Sequence, residues 1–234
     1  MTRRLILATA VALVVAACGG DSGTATTTTD GPDTTIASTS TTAFTGSGDT
    51  TTTAPVLETS FFAIATAVVD LPAAADYTDF AMLQADPAVA SVTVPAAWAD
   101  QHRALWEVDG IDIGYELFAA VDRDGWHASW SVSGAYFRIT SAESPTAQML
   151  VSVPWMGDEC VLVDEYTYDD GTLSGPWAIY DDCGTEGGVF VVLAVGPSDG
   201  SFTFYVELVA TTQADLGALD TIVPSIRVTG DLTP

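Results

Sequence analysis

Residues 188–228 read GVFVVLAVGPSDGSFTFYVELVATTQADLGALDTIVPSIRV. Residues 188–195 form a continuous apolar run, the pattern of a central strand covered on both faces. GPSDGS is a turn. Residues 201–210 alternate, so Phe202, Phe204, Val206 and Leu208 are expected inward and Thr203, Tyr205 and Glu207 outward. Thr212 stands as the N-cap of a helix, with Asp215 at its third position, a variant of the capping box. Leu216, Leu219 and Val223 share one helical face. Pro224 stops that helix, and SIRV is a last extended piece. A hairpin followed by a docking helix predicts an α+β domain with an antiparallel sheet.

Upstream, the same reasoning gives further strands. Phe80–Ala85 and Val89–Val94 are short strands around Asp86-Pro87, since proline presets a turn and lacks a ladder donor. Residues 111–121 (IDIGYELFAAV) make another strand, with Asp122 to Gly125 as its turn. Residues 126–139 (WHASWSVSGAYFRI) alternate aromatic with small or polar residues, as a strand or as a loop plus a strand. Ser144 and Pro145 fit N-cap and N1 of a short helix that runs until Pro154. Residues 58–71 are apolar without a clean period and read as either helix or strand.

Three cysteines, Cys18, Cys160 and Cys183, leave one unpaired. Cys160 precedes VLVDEYTY and Cys183 follows PWAIYDD. Both segments read as strands, joined across Asp170-Gly171, and antiparallel neighbours bring two cysteines within bonding range. A disulfide is expected there. The alternatives are free thiols or a metal site, but zinc takes four ligands and the two histidines lack ligand spacing.

Residues 80–228 resemble actinobacterial extracytoplasmic domains of the Mog1/PsbP-like type. The resemblance is carried by VTVPAAWAD (92–100), DIGYELFAAVD (112–122), the DEC…YDDCG frame (158–184) and FVVLAVGPSDGSFTFYVELVATTQADLGALDTIVPSIRV (190–228). It implies an antiparallel β-sheet packed between helices, an α-β-α sandwich. Such domains occur on lipoproteins and beside other extracellular or signalling modules, including trypsin-like proteases. They are mostly non-enzymatic, so no catalytic residue set transfers.

The chain begins as a signal peptide does. Arg3 and Arg4 supply the positive n-region. Leu5–Val15 is an apolar stretch too short to span a bilayer, which takes roughly 20 residues, and it matches a secretory h-region. Val15-Ala16-Ala17-Cys18 resembles the bacterial lipobox: an aliphatic residue, two small residues, then cysteine. By that resemblance residues 1–17 are a lipoprotein leader and Cys18 is the lipid-attachment residue and mature N-terminus. Stable anchoring takes two or more acyl chains. Residues 18–56 follow as a threonine-rich stalk, whose composition cannot bury enough apolar area to offset chain entropy. About 35 flexible residues span about 30 Å. Residues 57–234 are then one domain by length. The expected localisation is the cell membrane, lipid-anchored, on its extracytoplasmic face.

The chain has six arginines, no lysine and 31 acidic residues. Removing the leader deletes Arg3 and Arg4 and leaves a charge of −27. This excludes a nucleic-acid partner, because phosphate binding needs a basic surface. Electrostatic adhesion to anionic lipid is excluded for the same reason. The acidity reads as a solvated acidic surface, with attraction of cations or basic partners as the alternative.

No residue set announces a reaction. A serine hydrolase needs a nucleophile, a base and an orienting acid. Only His102 and His127 offer a base, and no G-x-S-x-G elbow is present. Acidic pairs (158–159, 164–165, 169–170 and 181–182) are too many to identify a glycosidase dyad. Asp122-Arg123-Asp124-Gly125 and Asp169-Asp170-Gly171 place oxygens at turns, but neither completes a calcium loop. No catalytic residue, metal or cofactor is therefore expected. Of the six tryptophans, Trp126 and Trp130 are the candidates for an exposed binding patch, since aromatic platforms hold glycans, lipids or peptides. The reading is a non-catalytic interaction module that binds an envelope protein, peptide or glycan. A cell-envelope hydrolase and a purely structural surface protein are the alternatives.

Overall fold

A computed structural model describes residues 60–141 and 159–232. The leader, Cys18, the stalk and the helix expected over Ser144–Pro154 lie outside them.

Two antiparallel sheets form the body. The larger has seven strands: β3 (Asp100–Val108), β4 (Ile111–Ala120), β5 (Gly134–Ser141), β6 (Val161–Asp169), β7 (Leu173–Cys183), β8 (Gly188–Pro197) and β9 (Phe202–Ala210). Their spatial order is β3-β4-β5-β9-β8-β7-β6. The smaller sheet sets β1 (Phe80–Gln84) and β10 (Arg227–Val228) on either side of β2 (Ala90–Pro95). Three short helices complete the described chain: α1 (Phe61–Ala65), α2 (Arg123–Ala128) and α3 (Gln213–Ile222), the last continuing into one 3-10 turn at Val223–Ser225. None of them is long and apolar enough to cross a membrane.

The hairpin and helix of residues 188–228 are as the sequence predicts. Every residue of β8 from Gly188 to Val195 is buried, because this strand lies between β9 and β7 with both faces covered. Asp215 accepts a hydrogen bond from the Thr212 backbone N–H (2.9 Å), the reciprocal half of a capping box. Leu216, Leu219 and Ile222 have no exposed surface, and burial of such side chains stabilises by about 1.5–3 kcal/mol each.

The large sheet has two apolar faces. Against one lie α1, α3 and the small sheet, around Leu117, Phe137, Trp177, Leu193 and Phe204. Against the other lie α2 and the chain after it, around Phe118, Tyr136, Phe190 and Tyr205. The result is an α+β sandwich with an antiparallel sheet between helical layers.

The structure changes or resolves four expectations. Strand β3 was not anticipated: most of its residues are exposed, so it carries no alternation. It joins β4 through Asp109-Gly110, both at positive φ (53° and 79°), with Val108 opposite Ile111. That is the two-residue hairpin geometry favouring glycine. Residues 126–139 resolve into the end of α2, a loop and β5. On β9, Tyr205 and Glu207 are buried rather than outward-facing, because the second face is covered too. Of residues 58–71, read as helix or strand, those from 60 onward give the short helix α1, a turn and then a strap without regular structure.

The disulfide forms as expected: Cys160 and Cys183 are bonded across 23 residues. It closes the open end of the β6–β7 hairpin, where the Gly184 N–H also donates to the Glu159 carbonyl (2.7 Å). Loop closure of this length contributes about 3 kcal/mol on the chain-entropy account.

Candidate binding groove beside the last helix

The strap between α1 and β1 runs along α3 and is tied to it repeatedly. The Gln213 N–H donates to the Pro72 carbonyl (3.0 Å) and its side-chain amide to the Leu71 carbonyl (3.1 Å). Further along, the Tyr77 hydroxyl donates to Asp215 Oδ1 (2.7 Å) and accepts from Trp98 Nε1 (3.2 Å). Burial, then the bond to Asp215, raises the Tyr77 pKa well above the ordinary phenol range, so the hydroxyl remains a donor.

Asp215 is wholly buried. Its Oδ2 accepts from the N–H groups of Thr211 (3.0 Å) and Thr212 (2.9 Å) and from the Ser133 hydroxyl (2.8 Å). A buried carboxylate is tolerable only with such partners. The cap thus pins the strap, the start of α3 and the entry to β5 together.

At the other end of α3, Asp220 plays the matching part for α1. Its carboxylate accepts from the Phe61 N–H (2.6 Å) and the Ser60 hydroxyl (2.7 Å). The Phe61 amide is one of the helix-start donors without an intrahelical partner. Ser60 in turn caps α1 by accepting from the Ala63 N–H (3.1 Å).

Between these fastenings lies a groove of about 280 Å³. Ala214, Gly217 and Ala218 of α3 line it, along with Phe62, Tyr77 and Phe80 and with Asp76, Asp220 and Thr221. The spacing 214, 217, 218 puts three small residues on one helical stripe, which keeps the helix surface low between the aromatic side chains. Gly217 sits mid-helix, where glycine costs roughly 0.5–1 kcal/mol relative to alanine. A Cβ there would meet Phe62 at 3.5 Å, an ordinary contact, so packing does not demand glycine. What glycine preserves is the depth of the groove.

Trp126 and Trp130, expected on an exposed patch, are instead core residues, 7% and 5% exposed. The Trp126 indole donates to the Gly134 carbonyl (3.1 Å) and meets Phe118 and Tyr136 edge-on. The Trp130 indole lies against Gly184, where any side chain would collide with it, and meets Phe190 edge-on. The second sheet face is apolar and needs a cover, which these two rings supply.

Near them the sheet carries an ion cluster. Arg138 Nη1 lies 2.8 Å from Glu207 and its Nε 3.2 Å from Glu116. The guanidinium stands 5.1–5.8 Å from the ring centres of Tyr136, Trp106 and Tyr205. Burial alone would lower the Arg138 pKa, but Glu207 and Glu116 more than offset this and hold it above its ordinary range. Burial, then Glu207, raises the Tyr205 phenol pKa. Both carboxylates are engaged by the arginine, an arrangement that orders the sheet rather than offering a free acid and base.

The histidines share this face. The register sets His102 opposite Phe118. His127 stacks on Phe118 (5.6 Å) and lies 3.3 Å from the Tyr136 hydroxyl. The Asp169-Asp170-Gly171 turn satisfies itself: Asp170 accepts from the N–H groups of Thr172 and Leu173 and from the Tyr168 hydroxyl, and Asp169 accepts from Gly171 N–H. Residues 122–125, expected as a turn, are instead the N-cap and start of α2. Among the described residues, no three or more His, Cys, Asp or Glu side chains gather as a metal site.

The groove, its wall residue Tyr77 and the buried Asp215 behind it were not anticipated from sequence, apart from the capping role of Asp215. The signal available was the small-residue stripe in ADLGAL together with a mid-helix glycine. The lone arginine in YFRI similarly pointed to a buried partner.

No protein-family model matches the chain, and no curated protein matches it. A solved structure it is similar to is the solution structure of cyanobacterial PsbP (CyanoP) from Synechocystis sp. PCC 6803. The match has a TM-score of 0.38 and 10% identity, over 69% of this chain and 99% of that chain. The α+β assignment rests on the strand order and the two cores.

Proposed function

We propose that the protein is a non-catalytic binding module, held by lipid on Cys18 at the extracytoplasmic face of the cell membrane and displayed by its threonine-rich stalk. Its recognition surface is the groove beside α3. The observation that carries this reading is the groove itself, a concave site in which two carboxylates, a phenol and a threonine stand among small apolar and aromatic residues. Among the described residues its lining contains no histidine, cysteine or serine, and its rings, small residues and two carboxylates offer a partner contact area.

The test is site-specific capture in intact cells. Thr221, exposed on the groove, is replaced by a photo-crosslinking residue, as is Thr167, exposed on the edge strand β6 and outside the groove lining. A discrete adduct at 221, absent at 167 and lost when Gly217→Leu fills the groove, is the expected result. Equal capture at both positions, or capture indifferent to Gly217→Leu, would exclude the groove as the recognition surface.

A further inference from the structure

We infer that the groove receives a single cationic side chain, arginine or lysine, presented by a basic polypeptide. This rests on the reading of the groove as the recognition surface and names what enters it. Asp76 and Asp220 both line it. Asp220 is engaged only by neutral donors, the Ser60 hydroxyl and the Phe61 N–H, so those bonds leave its charge uncompensated. Among the described residues no arginine or histidine lines the site, so those residues supply no counter-ion there.

The remaining surfaces suit a cation as well. Phe62, Tyr77 and Phe80 bring three aromatic rings to the groove, and ring faces attract a guanidinium or ammonium. The Tyr77 hydroxyl is committed to Asp215 and its ring meets Trp98 edge-on, so Tyr77 is held in place at the groove wall. Small floor residues leave room for the aliphatic stem of a long basic side chain, which packs on apolar surface while its head reaches the carboxylates. The chain's formal charge of −25 favours approach of a basic partner.

The probes are three blocked pentapeptides with arginine, lysine or citrulline flanked by glycines; citrulline keeps the shape of arginine and removes its charge. Titrations follow backbone amide signals of the purified full chain. Expected are saturable shifts at Asp76, Gly217 and Thr221 with the arginine or lysine peptide, weakening as salt rises, and citrulline binding about tenfold weaker. Asp76→Asn should weaken the better cationic peptide about threefold, and Gly217→Leu should abolish saturation with its fold retained. Citrulline binding within about twofold of the better cationic peptide, or no saturable shift with either cation, overturns the inference. If capture at position 221 succeeds while citrulline equals arginine, the cation is wrong and the groove stands. If capture is indifferent to Gly217→Leu, the groove reading itself fails.

Discussion

Asp215 concentrates more of the fold than any other polar side chain of the described chain. It holds Thr211 and Thr212 beside it in sequence, Ser133 from 82 residues away and Tyr77 from 138 residues away. Asp215→Ala would strand several buried donors at once. It should lower stability by about 3–5 kcal/mol, with Asp215→Asn intermediate because the amide oxygen still accepts. Urea unfolding monitored by tryptophan fluorescence measures this, and a loss below about 1 kcal/mol would show that the network relaxes around the hole. The local half of the role was legible, since Thr212 and Asp215 stand at capping-box spacing. The distant half was not, because nothing in the neighbourhood of Ser133 or Tyr77 marks either as a partner of residue 215.

Among elements, the β6–β7 hairpin gives the clearest dependence on pH. Burial raises the Asp170 pKa, but the N–H groups of Leu173 and Thr172 and the Tyr168 hydroxyl more than offset it and hold the carboxyl below its ordinary value of 3.8. A depressed folded-state pKa stabilises fully above that ordinary value and is lost as pH falls through the depressed one. The stability gap between the parent protein and Asp170→Asn should therefore be widest near neutral pH and close progressively below pH 3.8. Paired urea titrations across that range read the gap, and a difference that is flat with pH would rule out the charge as its source. Legibility in this layer follows burial. Strands β8 and β9 and helix α3 were readable because their buried positions impose a period. The edge strand β3 was not, because an exposed strand is free of hydrophobic pattern. Trp126 and Trp130 were misplaced outward because a sheet covered on both faces hides its second cover from any reading of one strand at a time.

The molecule as a whole combines two cores with a surface of strongly negative charge. The lipid anchor proposed for Cys18 would have to hold the protein without electrostatic help, since such a surface repels anionic lipid. Cys18→Ala should move the protein from the membrane fraction to the soluble fraction and remove the acyl mass from its N-terminus. Fractionation with intact-mass measurement checks both, and membrane retention of the variant would reject the anchor.

The fastening of Ser60 and Phe61 to Asp220 has a mechanical consequence. Tension applied at residue 60 acts on the end of α3, beside the groove. Two hydrogen bonds to one carboxylate, and the Phe61 ring wedged against Tyr168 and Trp177, bear that load first. Pulling at residue 60 would load α1 and draw Phe62 away from the groove proposed as the recognition surface.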